Sequence, residues 1–345
     1  AIGLYAAVSI LVKAYRSPSL FFNQLVNGLQ LGFVYALIAL GYTMVYGIVK
    51  LINFAHGDVF MVGAFVSYYA VSGFGLHLWL LTLAPGVNPA LGLVVGTITV
   101  ILLSMLTCAL LATTVERFAY KPLRDAPRIS ALITAIGVSF FLEYFGALPF
   151  VFTPNFITYK RPFDITIWYI KDGVHKLEAG AAPPEGSVLF SNILIIIVLT
   201  SLFLLFVLQF IVHRTKIGKA MRATSYDKPT ARLMGINVDN VISITFAIGA
   251  SLAGAAGVLY ATAYPQVVFW MGITPGLKAF VAAVLGGIGS IPGALVGALI
   301  MGQAEVLSAS YISTPMRDAI SFSILILVLL IRPTGIFGEP EREKA

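Results

Sequence analysis

Long apolar runs, each interrupted by a short polar or basic break, recur along this chain. A helix needs about 20 consecutive apolar residues to cross a bilayer. Runs at 21–47, 58–75, 90–115, 129–150, 188–212, 238–264 and 316–332 meet or approach that length, and each predicts one span. The stretch 276–309 is too long for one span and is broken by Gly286, Gly287, Gly289, Pro292 and Gly293. Glycine frees the backbone and proline removes a donor, so this stretch predicts a hairpin or re-entrant pair. The expected fold is an all-α polytopic bundle of about eight or nine helical segments.

Lysine and arginine in the breaks set an orientation, since cytoplasmic loops carry the excess of basic residues. Arg117, Lys121, Arg124 and Arg128 follow the third span, and Arg214, Lys216, Lys219, Arg222, Lys228 and Arg232 follow the fifth. Both loops are expected inside, as is the C-terminal part with Arg332, Arg342 and Lys344. Residues before Phe21 then fall outside. So does loop 151–187, although it carries Lys160, Arg161, Lys171 and Lys176 beside Asp164, Asp172, Glu178 and Glu185. That outer loop is a candidate contact for an external partner. Segment 1–20 begins with a short apolar stretch, Ala1 to Val12, followed by Lys13 and Arg16. It lacks the basic start of a secretory signal and reads as an interfacial helix or part of a longer span.

Composition narrows the class. Of 345 residues, 59% are hydrophobic and 11% charged, with mean hydropathy +0.93; soluble domains carry roughly 25% charged residues. The expectation is one integral membrane domain over 21–345. The net charge of +7 lies in loops without a basic aromatic face, which argues against nucleic acid. The one cysteine, Cys108, excludes an intrachain disulfide and reads as a packing residue.

Gly28 and Gly32, four apart, form a small-residue pattern that lets helices approach closely, with internal packing favoured over dimerisation. Asn53, Phe54, Ala55, His56, Gly57 and Asp58 make a polar break between two apolar runs. It has two readings: a bend beside a substrate pathway, or a turn in which Asp58 caps the next helix. One histidine beside one carboxylate lacks the spacing of a metal-ligand set, so no metal is expected. Glu143 and Glu305 fall within or near apolar spans, where a carboxylate is costly; each either lines a pathway or relays a proton, or else snorkels or bonds to a neighbouring helix. Arg317 and Asp318 open the last span as interfacial anchors. Leu285 to Gly297 lacks the GxxxxGK[ST] pattern of a phosphate loop, and no hydrolase motif is present, so the chain is not expected to be an enzyme.

The loop from Arg214 to Val238 mixes charges with Ala220, Met221, Ala223, Ala231, Leu233 and Met234. Its pattern predicts a helix over Lys219–Tyr226, a second opening on Pro229, and a stop at Gly235. Such an amphipathic pair lies on lipid or, as favoured here, docks in a groove of a soluble partner.

Several stretches together resemble a known family: LGFVYALIALGYTMVYGIVKLINFAHGDVFMVGAF from Leu31, ERFAYKPLR from Glu116, LITAIGVSFFLE from Leu132, FAIGASLAGAAGVLY from Phe246, GLKAFVAAVLGGIGSIPGALVGALIMGQAE from Gly276, and LILVLLIRPTGIFG from Leu325. They resemble the LivH-type permease subunits of branched-chain amino acid ABC importers, a branch of a group that includes ribose permeases. The resemblance implies a multi-pass protein of the bacterial inner membrane, paired with a second related permease, two cytoplasmic ATPases and an external binding protein. It implies that ATP and Mg are bound by the ATPases, with no cofactor in this chain. It makes 213–237 the coupling loop, with Lys219, Ala220, Met221, Arg222, Ala223, Thr224, Ser225 and Tyr226 seated in an ATPase groove. It brings Asn53, Phe54, His56 and Gly57 near the translocation pathway, with Glu143 a further candidate. Urea or short-chain amides are alternative solutes for the same machinery. An ion-coupled transporter, with Glu143 or Glu305 as the coupling group, is the alternative of a different class.

Overall fold

Capping side chains and first-turn prolines mark where most of the helices start. A computed structural model describes residues 15–338 except Asp125, Ala179 and Pro333. Most of segment 1–20, and Arg342 and Lys344, lie outside the described residues. Helix α1 (Pro18–Val49) opens on Pro18, whose missing N–H costs nothing in a first turn. It closes at Lys50, whose left-handed φ of 60° lets its N–H reach the Tyr46 carbonyl. Helix α2 (His56–Tyr68) runs through a π-turn to Gly73, bends by 65° and continues through Leu76–Leu78 into α3 (Trp79–Leu83).

Asn88 caps α4 (Pro89–Val115), which carries on as a π-turn and a 3₁₀ turn to Leu123. Helix α5 (Arg128–Gly146) leads to a loop with β1 (Ile157–Thr158), β2 (Ile167–Ile170), β3 (Val174–Lys176) and β4 (Val188–Ser191). Ser191 caps α6 (Asn192–Arg214) and Thr215 caps α7 (Lys216–Tyr226). Asp227 caps α8 (Lys228–Leu233), and Asn237 caps α9 (Val238–Ala263). After β5 (Gln266–Val267) come α10 (Ile273–Gly286), α11 (Ile291–Tyr311) and α12 (Met316–Ile331).

Among the described residues six helices are long and apolar enough to cross a bilayer, and the α2–α3 pair, bent by 65°, has the length and composition of a broken span or a re-entrant loop. The shorter α10 and α12, of 14 and 16 residues, complete the bundle. The expected break in 276–309 is a tight turn: Gly287 and Gly289 adopt φ of 102° and 101°, which favour glycine, and Ser290 caps α11. A Cβ on Gly286 would lie 1.9 Å from the Gly293 carbonyl oxygen, so the two arms touch backbone to backbone.

All-α holds for the membrane body but not for loop 151–187. There β2 pairs antiparallel with β3 and β4, with Trp168 opposite Phe190 and their rings stacked at 5.7 Å, while β1 pairs with β5. The run predicted as one span from 188 therefore starts as a strand, and the helix begins at Asn192.

The helices alternate between two ends. At one, Lys228 Nζ donates to the Val49 carbonyl at 3.1 Å, and the Ile336 and Phe337 N–H groups donate to Leu285 and Gly286 at 2.9 Å. This basic end gathers α7, α8, Lys121–Arg124, the glycine turn and Thr334–Gly338. The strands occupy the opposite end, where Asn23 bonds the backbone of Ser187 and Leu189.

Helix α1 is the axis of the bundle, buried almost without interruption from Leu31 to Val45. Glycines allow its contacts. A Cβ on Gly302 would lie 2.5 Å from Gly32 Cα, and one on Gly28 would strike the Gln303 side chain, so this small-residue pair serves packing of α1 on α11. Peripheral α4 instead exposes Leu91, Val94, Ile98, Leu102, Leu106 and Leu110 at helical spacing, a face suited to lipid. Gly302→Val should force α1 and α11 apart and cost about 1–3 kcal/mol. The expected result is a lower thermal midpoint of the detergent-purified protein; an unchanged midpoint counts against this contact.

Candidate functional site

The polar break after α1 turns back into the bundle. Asn53 is buried, and its Oδ1 accepts the Tyr120 hydroxyl at 2.7 Å. His56 opens α2 with its ring 4.7 Å from the Tyr42 ring, tucked under Gly41, where a Cβ would lie 2.2 Å from Nε2. The residue preceding α2 is Ala55, and no side chain caps the helix. Asp58 is thus not the expected cap. It sits inside the first turn, and one carboxylate oxygen accepts the Ser139 hydroxyl of α5.

Across from it begins α10. A Cβ on Gly57 would lie 2.5 Å from the Gly272 carbonyl oxygen and 3.1 Å from Gly276 Cα, so the starts of α2 and α10 abut. Between them opens a cavity of about 150 Å³. Tyr42, Asp58 and Ser139 give it a polar side; Phe54, Ile136, Leu277 and Phe280 give it an apolar one. Gly57, Gly272 and Gly276 present backbone there.

Of the residues singled out from sequence, Phe54 and Gly57 line this space, while His56 packs on the lining Tyr42 and Asn53 bonds Tyr120 outside it. Glu143 is buried one turn beyond Ser139 but does not line it. The pattern did not single out Tyr42, Ser139 or the start of α10. Helix starts are written in the sequence, but which two meet is fixed by tertiary packing.

A second polar cluster lies between α10, α11 and α12. Lys278, 1% exposed, places Nζ 2.8 Å from Glu305 and 2.7 Å from Asp318. Tyr35 donates to the other Glu305 oxygen at 2.9 Å, and Arg317 Nε lies 3.3 Å from the oxygen that Lys278 holds. Glu305 therefore pairs with neighbouring helices instead of snorkelling. Arg317 and Asp318 belong to this network and are more than interfacial anchors. Lys278 carried no separate signal beyond being the one cation in its apolar stretch.

At the basic end, fully buried Glu116 pairs with Arg124 and accepts the Ser243 hydroxyl at 2.6 Å, while Asp239 holds Lys121 at 2.8 Å. These contacts fix the segment after α4 to the start of α9. Helices α7 and α8 lie beside them. Gly218, Met221 and Thr224 turn inward, and Arg222 donates to the Val212 carbonyl. Ala231 is buried, whereas Tyr226, Leu233 and Met234 are 83%, 87% and 78% exposed. The apolar residues therefore divide between two jobs: Met221 and Ala231 hold the loop to the bundle, and Tyr226, Leu233 and Met234 face out. Burial, then repulsion from Arg124 and Arg232, lowers the pKa of Lys228 beside them.

Membrane-length helices packed around a small half-polar cavity are those of a multi-pass membrane protein. The chain belongs to the family of permease components of the branched-chain amino acid transport system, whose family model matches residues 24–329. It is 41% identical over 328 residues to the high-affinity branched-chain amino acid transport system permease protein LivH of Salmonella typhimurium, covering 94% of this chain and 97% of that one. It is 38% identical over 338 residues to BraD of Pseudomonas aeruginosa, covering 94% and 98%. Over 129 residues, 35% of this chain and 40% of the other, it is 28% identical to the ribose import permease RbsC of Escherichia coli. No solved structure matches the chain.

Proposed function

We propose that this chain is one of two permeases in an ATP-driven importer of branched-chain or other apolar amino acids. In this reading an external binding protein delivers the solute to the strand-bearing end. Two separate ATPases bind ATP and Mg at the basic end, which is cytoplasmic and includes Thr334–Gly338. The observation that carries the reading is the outward apolar group Tyr226, Leu233 and Met234, set among Lys216, Lys219, Arg232 and other cations on a pinned helix pair. Water does not stabilise such a group, whereas the groove of a soluble partner buries it.

Closure of the ATPases would push this helix pair, which Arg222 and Met221 tie to α6 and the bundle, and so rock the helices around the cavity. The pairing of Glu305 with Lys278 disfavours Glu305 as the coupling group of an ion-driven mechanism, because that carboxylate is already neutralised. The test is affinity capture of the tagged chain from its native membranes, followed by uptake of L-leucine in vesicles. Expected are co-purifying ATPases, a second permease and uptake that requires both ATP and the binding protein. Uptake driven by an ion gradient alone would refute the proposal.

A further inference from the structure

We propose that the cavity between α2 and α10 is a transit site for a zwitterionic α-amino acid, with Asp58 holding the ammonium and the open start of α10 facing the carboxylate. The inference rests on the importer reading above and adds the groups that would meet the two charges of the solute.

Asp58 is 2% exposed and lines the cavity. Its Oδ2 accepts the Ser139 hydroxyl, but its Oδ1, equally buried, has no hydrogen-bond partner among the described residues. None of the ion pairs among those residues includes it: the buried Lys278 is taken by Glu305 and Asp318, and Arg124 by Glu116 and Asp239. A buried carboxylate with an unused acceptor and no ion-pair partner is costly as the anion, and either a proton or an arriving cation relieves that cost. An ammonium supplies both the charge and the donors. Glu143, a second buried acidic residue, lies one turn beyond Ser139 on the same helix.

The other half of the head group meets a different surface. Helix α10 has 14 residues, no capping side chain and no acidic residue in its first turn. Of its first-turn N–H groups, that of Ile273 donates to the Trp270 carbonyl and Pro275 has none, so the Thr274 N–H is the donor left for an anion, whereas the α2 positive end already has Asp58. Because Gly57 and Gly272 touch, the two sites are adjacent, as the ammonium and carboxylate on one α-carbon are. Phe54, Ile136, Leu277 and Phe280 form the apolar remainder, which suits an aliphatic side chain.

The test places a reporter at the cavity wall. In the assembled importer, Ile136→Cys is reacted with a maleimide, Cys108 being fully buried. L-Leucine should slow labelling by about threefold or more, whereas 4-methylpentanoate, which lacks the ammonium, should not. Protection should vanish in Asp58→Asn and persist in Asp58→Glu, and leucine uptake by Asp58→Asn should fall about tenfold or more. Absence of protection by leucine, equal protection by 4-methylpentanoate, or retained protection in Asp58→Asn overturns the assignment. Should Asp58→Asn fail to insert, the two probes on the Asp58-containing protein and Asp58→Glu still decide it. Failure of the importer reading shows separately, as absent ATP-driven uptake by the unaltered assembly.

Discussion

Lys278→Met is expected to destabilise the bundle by about 3–5 kcal/mol, because it strips the counter-charge from buried Glu305 and from Asp318 at once. Arg317, 3.3 Å from Glu305 and partly exposed, replaces only part of that neutralisation. The double variant Lys278→Met/Glu305→Gln should recover more than half of the loss, since a neutral amide still accepts the Tyr35 hydroxyl and leaves only half-exposed Asp318 for water to solvate. Unfolding of the purified protein in mixed micelles measures both, and the double-mutant cycle isolates the pair. A single variant within about 1 kcal/mol of the parent would show that the network is not a stability element.

Leu233→Asp/Met234→Asp is expected to leave the chain folded and to cut ATP-driven uptake about tenfold or more, by placing two carboxylates where the ATPase groove would receive apolar groups. Both side chains lie in solvent, where substitutions shift stability by about 0.5 kcal/mol or less. Met221→Asp is the contrast, since that side chain is fully buried and its loss should appear as misfolding. Co-purification of ATPase subunits separates the two cases: the outward variant yields folded permease without its ATPases. Undiminished uptake by that variant would contradict docking through α8.

Much of the architecture is legible in the sequence because bilayer thickness fixes helix length and capping residues fix helix starts. Asn88, Ser191, Thr215, Asp227, Asn237 and Ser290 each stand where a helix begins, and the turn at Gly287–Ser290 is visible as a cluster of glycines. What a linear pattern does not carry is partnership. The pairing of Lys278 with Glu305 and Asp318 spans two helix boundaries, and an opposite charge in the neighbouring arm of the hairpin was its one available sign. The meeting of α2 with α10 depends on Gly57 and Gly272, more than 200 residues apart. The strands of 157–191 escaped because their short runs lie in a mixed polar loop, where cross-strand pairs such as Trp168 with Phe190 give them a half-buried face.

The hydrogen bonds from Ile336 and Phe337 to Leu285 and Gly286 bear on the order of assembly during synthesis. The glycine turn leaves the ribosome about 50 residues before the backbone groups that clasp it, an interval of roughly 3–10 s at about 5–20 residues per second. During that interval the α10–α11 hairpin has its turn but lacks its latch. The nascent chain therefore passes through an unlatched hairpin, and insertion of α12 is the event that brings the latch into reach.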